Sequence, residues 1–172
     1  LSIANYREKK VLKRFRATPL NPTDILVSQI VVNLVMTAVG IGFLFVLAKL
    51  VFNVQFTGNV LAVAFAFLLS TLSMFAVGFV IASLAPGIKS ASAIANIVYF
   101  PMVFLTGATL PLELMPKTMQ NIAKALPLTY VVSLMKGVWI GESLSKHILD
   151  MVVLAGILIA GSVISILTFK WE

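Results

Sequence analysis

Four stretches of this chain, at residues 25–50, 60–84, 91–108 and 148–169, are long, apolar and almost free of charge. No other feature limits the possible folds so severely. A helix rises 1.5 Å per residue, so the first stretch, at about 26 residues, reaches about 39 Å, more than the ~30 Å hydrocarbon core requires. Inside lipid every backbone N–H and C=O must bond within its own segment, which leaves the helix as the form such a stretch can take. The expected fold is therefore all-α, a polytopic transmembrane bundle with four spans in one membrane domain covering residues 1–172. Composition agrees: 60% of residues are hydrophobic and 11% charged, whereas a soluble domain carries about 25% charged residues.

Orientation is set by the segment before the first span. Between Arg7 and Arg16 stand six basic residues, Arg7, Lys9, Lys10, Lys13, Arg14 and Arg16, against the single acid Glu8. Lys and Arg resist translocation, so a block like this marks the cytoplasmic side. Pro19 and Pro22 stop any helix built on it, and Asp24 or Thr23 can cap the helix that follows. With residues 1–22 inside, 51–59 lie outside, the loop carrying Lys89 inside, 109–147 outside, and the end at Lys170 and Trp171 inside. The short inner segments are basic and the first outer loop has no charge, so the assignment is self-consistent. The net charge of +7 sits mostly in that one block beside apolar runs. It suits anionic lipid or a cytoplasmic protein rather than nucleic acid.

The outer segment has a pattern of its own. Met119, Ile122, Ala123 and Leu126 fall at i, i+3, i+4 and i+7, with Lys117, Gln120, Asn121 and Lys124 opposite. After Pro127 the spacing recurs in Val131, Leu134, Met135 and Val138. Two short amphipathic helices broken by proline are too short to span. They lie in the outer interface, dip partway into the membrane, or pack the outer ends of the spans. In the third span Pro101 removes a backbone hydrogen bond and favours a kink.

Catalytic chemistry is not in evidence. His147 reads as an interfacial polar residue rather than a ligand, and Ser70, Ser73 and Ser92 have no base beside them in sequence. No phosphate-cradling glycine loop occurs, so ATP would have to be bound elsewhere. Within the spans the polar side chains Asn33, Thr37, Ser70, Thr71, Ser73 and Asn96 fit interhelical hydrogen bonding. The pairs Ala38/Gly42, Gly78/Ala82, Ala91/Ala95 and Gly156/Ala160 fit close helix packing. No carboxylate sits at depth, where ion-coupled carriers commonly keep one.

Two blocks resemble a known family. Arg7-Glu8-Lys9-Lys10-Val11-Leu12 through Arg16-Ala17-Thr18-Pro19-Leu20 is similar to a signature of ABC-2 type permeases, the membrane subunits of ABC exporters. Phe104-Leu105-Thr106-Gly107, Leu110-Pro111-Leu112-Glu113-Leu114-Met115-Pro116 and Leu126-Pro127-Leu128-Thr129-Tyr130 resemble its second block. Lys10 stands where the family often has glycine, Thr106 where serine is common, and Lys136 near a frequent arginine. The family has six spans, so the resemblance implies that an N-terminal cytoplasmic helix and two spans precede this portion. It implies that residues 1–22 form a coupling segment docking on an ABC ATP-binding subunit through Glu8, Leu12, Phe15 and Arg16. It also implies that the outer helices form a re-entrant pair capping the path, an external gate carried by Phe104, Gly107, Pro111, Glu113, Pro127 and Tyr130.

The function implied is export driven by ATP, with no cofactor in this chain and Mg-ATP bound by the partner subunit. A second permease copy or paralogue would complete a dimer in a bacterial or archaeal-type plasma membrane, with both ends of this portion cytoplasmic. Two other classes stay open. One is a membrane anchor or scaffold whose basic block binds lipid or an enzyme; the other is an ion-driven carrier.

Overall fold

A computed structural model of the chain describes residues 22–53, 56–109 and 111–168. Among these residues the structure is helical and has no strand. The helices are α1 (Pro22–Phe52), α2 (Val60–Leu84), α3 (Ile88–Leu105), α4 (Lys117–Ala123), α5 (Pro127–Trp139) and α6 (Ile148–Thr168). Short 3₁₀ turns, Leu112–Leu114 and Leu144–His147, precede α4 and α6. The helices α1, α2, α3 and α6 are long and apolar enough to cross a membrane.

Local chemistry explains the boundaries. α1 includes Thr23 and Asp24 in its first turn, so neither stands before the helix as a cap, and it ends at Asn53, whose φ of 50° is the left-handed conformation that closes helices. Asn59 caps α2, its Oδ1 accepting from the Leu61 N–H at 2.8 Å. Pro86 limits the other end. α3 starts three residues earlier than the sequence suggested and also ends three earlier. The cause at its start is Ser90, whose Oγ accepts from the Gly87 N–H at 3.2 Å and donates to the Gly87 carbonyl at 3.0 Å, closing the first turn. At its end Gly107 has a φ of +80°, which a helix cannot continue through. The helix continues through Pro101.

The most extensive packing joins α2 to α6. Ser73 pairs with Leu154, Ala76 with Gly161 and Ser83 with Thr168, so position advances together along both helices and they run parallel. Ser73 Oγ bonds the Leu69 carbonyl of its own helix at 2.7 Å and the Leu154 carbonyl of α6 at 2.8 Å. That close approach is possible because α2 buries a stripe of small side chains, Ala66, Ser70, Ser73 and Ala76. The expected small pairs do not form the seam. A Cβ at Gly42, Gly78 or Gly156 would meet nothing within 4 Å, and of those pairs only Ala82 and Ala91 are buried. Asn33 and Thr37 likewise bond carbonyls of their own helix, at Gln29 and Asn33, rather than a neighbour.

One apolar core gathers where α2 and α6 begin. Ala66, Leu134, Val138 and Leu154 are fully buried there, with Tyr130, Val131, Met135 and Met151 packed around them. The α5 stripe read from the sequence is thus the face that enters the core. α1 joins this end through Phe45, whose ring lies edge-on to Phe56 at 5.9 Å and Trp139 at 5.5 Å. Elsewhere α1 presents its apolar side chains outward, as a helix in lipid can.

Candidate functional site at the capped end of the bundle

The turn after α3, both 3₁₀ turns, α4 and α5 lie across the end where α2 and α6 start. α4 and α5 are tied directly. The Thr129 hydroxyl donates to the Ala123 carbonyl, and the Tyr130 hydroxyl donates to the Lys124 carbonyl at 2.7 Å. Side chains from the first turn of α5 thereby satisfy the Lys124 carbonyl and give the Ala123 carbonyl, which already accepts from the Leu126 N–H at 2.9 Å, a second donor. Pro127 occupies the first position of α5, where its missing N–H costs nothing.

Beneath this cap lies a cavity of about 270 Å³, lined by Thr106, Gly107, Pro111, Glu113, Ser133 and Lys136 among others. The Lys136 ammonium donates to the Gly107 carbonyl at 2.6 Å, pinning the turn after α3 to α5. Thr106 is fully buried and its hydroxyl has no hydrogen-bond partner. Such an atom is costly in a low-dielectric setting, and Thr106 is among the residues that line this cavity.

His147, from the second 3₁₀ turn, closes one wall. Its Nδ1 lies 2.9 Å from Asp150 Oδ2 and its Nε2 lies 2.9 Å from Glu142 Oε2. Ser133 on α5 also donates to Asp150 Oδ2, at 2.8 Å. Lys146 stands 3.5 Å from the other Glu142 oxygen. The hydrogen bond from His147, and then the positive charge of Lys146, hold the Glu142 carboxyl below the usual carboxylate range. Asp150 is only 8% exposed, and the hydroxyl of Ser133 and the ring of His147 are its partners. Among the described residues no group of His, Asp and Glu is arranged to hold a metal ion.

Of the residues read from the sequence as an external gate, Gly107, Pro111 and Glu113 meet at this cavity. Phe104 stays on the surface, more than half exposed. Pro127 and Tyr130 shape the cap without lining the cavity. Glu8, Leu12, Phe15 and Arg16, the expected docking residues, lie outside the described residues. Nothing in the sequence marks Lys136, Ser133, Glu142 and Asp150 as site residues, and His147 reads there as a lone interfacial side chain. The available signal was weak: Glu142, His147 and Asp150 are five and three residues apart, and only the 3₁₀ turn brings them together.

Residues 1–139 match the family model described as ABC-2 type transporter. The chain is 22% identical over 143 residues to the Probable multidrug ABC transporter permease YbhR of Escherichia coli K12, covering 83% of this chain and 39% of that protein. It is 25% identical over 133 residues to the Inner membrane transport permease YhhJ of the same organism, covering 77% of this chain and 36% of the relative. Nodulation protein J of Rhizobium leguminosarum bv. viciae is 31% identical over 83 residues, 48% of this chain and 32% of that protein. The chain thus spans less than half the length of these relatives. No solved structure matches it.

Proposed function

Because this chain belongs to the ABC-2 type transporter family, we propose that it is the permease portion of an ATP-driven exporter. In this reading a separate ABC subunit hydrolyses ATP, and a second permease copy or paralogue completes the path. The placement of the acids supports it most directly. Asp24 lies in the first turn of α1, Glu113 in a 3₁₀ turn, Glu142 in a loop and Asp150 in the first turn of α6. Among the described residues no carboxylate lies midway along a span, so an ion gradient finds no acidic site at depth to act on. In this reading energy arrives from outside the membrane domain.

Force would enter through the basic segment before α1, with Leu12 and Phe15 seated in the ATPase subunit and Glu8 and Arg16 at the rim. The α2–α6 pair would move as one body, since it is joined by hydrogen bonds at Ser73 and at Ser83. The cap would act as the external gate, with Lys136 on Gly107 as the contact that keeps it shut. Multidrug transport, named for the Escherichia coli relative YbhR, is the cargo class to test first.

The test is the substitution of Leu12→Asp with Phe15→Asp in the full-length protein. Loss of the ATP-binding subunit on co-purification, with loss of export, supports docking there. An unchanged complex with unchanged export rejects it.

A further inference from the structure

His147 has a carboxylate at each ring nitrogen, an arrangement the gate reading does not use. A carboxylate only accepts, and a neutral imidazole carries one N–H. With both acids ionised, the two 2.9 Å contacts, to Asp150 and to Glu142, are therefore hydrogen bonds together only when the ring holds two protons. Glu142 is itself kept ionised by its neighbours, so it does not supply the missing proton. A neutral ring would turn a lone pair toward one of the two acids.

The packing makes this matter mechanically. The imidazole packs against α5 at Gly137, where a built Cβ would fall 1.9 Å from Nε2. Asp150 belongs to α6 and also takes the Ser133 hydroxyl of α5 at 2.8 Å. The charged groups around the ring are Glu142 and Lys146 from the segment between the helices and Asp150 from α6. Lys136 of α5 and Glu113 of the first 3₁₀ turn line the adjoining cavity, and Lys136 is engaged by the Gly107 carbonyl.

We propose that His147 is a proton-binding latch: as an imidazolium bridging Glu142 and Asp150 it holds α5 against the head of α6, and it releases one of the two acids on losing its proton. This deepens the gate reading and rests on it, because α5 carries the cap. A gate so built tightens in acid and loosens as the medium turns alkaline, across the range where histidine titrates.

The experiment places spin labels at Ile140 and Val152, both exposed, in the full-length protein in lipid nanodiscs, and measures their separation from about pH 6 to pH 9. A single short distance at the acid end, joined by a longer one that grows with pH, is expected. His147→Gln should abolish the pH response, and Asp150→Asn should show the longer distance already at the acid end. A distribution that does not change with pH, or one that still changes in His147→Gln, overturns the latch. Export measured in parallel separates the two ideas. A pH-dependent distance with export indifferent to pH keeps the latch and removes the gate.

Discussion

Gly137 on α5 and His147 in the turn before α6 occupy one contact: a methyl group on the glycine would lie 1.9 Å from the imidazole Nε2. The ring cannot step aside cheaply, because Asp150 and Glu142 hold both of its nitrogens. Gly137→Ala should therefore cost about 1–3 kcal/mol, the usual cost of overpacking a filled site. Melting in detergent measures it. Adding His147→Ala should return part of the loss, since contacting residues couple by about 0.5–3 kcal/mol.

The α2–α6 seam gives a graded test. Ser73→Ala removes a buried bond to Leu154 of α6 and should cost about 1 kcal/mol, as single interhelical hydrogen bonds in membranes do. Gly161→Leu pushes a large side chain onto Ala76, which a single Cβ would already approach at 3.0 Å. Its loss should be the larger, at about 3 kcal/mol. Equal melting temperatures for the two variants would contradict the close contact of Gly161 with Ala76.

Lys136 ties α5 to the turn after α3 through the Gly107 carbonyl. A hydrogen bond from a charged group contributes about 1.5–3 kcal/mol, a factor of ten or more in an opening equilibrium. Lys136→Met should raise the thiol-labelling rate of a Thr106→Cys reporter, buried in the closed turn, by about that factor. Lys136→Arg should raise it much less.

Glu142 sets an acid limb. Its carboxyl is held below the ordinary 4.5, first by the His147 hydrogen bond and then by Lys146. A depressed carboxylate stabilises the fold fully above its ordinary value, and that contribution disappears as pH falls through the lowered one. Wild-type melting temperature should thus drop as pH is taken below 4.5. Glu142→Gln should start lower at neutral pH and drop less.

The spans were legible because hydropathy over twenty residues outweighs any local detail. Their ends were less so. The start of α3 depends on Ser90 folding back onto Gly87, which no hydropathy pattern reports. The stripe on α5 was readable from Leu134 and Val138, both now in the core. The same spacing on α4 leaves Met119 and Ile122 about half exposed, because α4 is part of the cap rather than of the α2–α6 core. The cavity wall was hidden for a different reason. Lys136 and Gly107 are 29 residues apart, and Gly137 meets His147 across two turns.

The most direct measurement is cargo uptake by inside-out vesicles holding the full-length protein with its ATP-binding subunit. Uptake that requires hydrolysable ATP and survives collapse of the proton gradient is expected. Uptake that ignores ATP and stops when the gradient is dissipated would contradict a permease driven from outside the membrane.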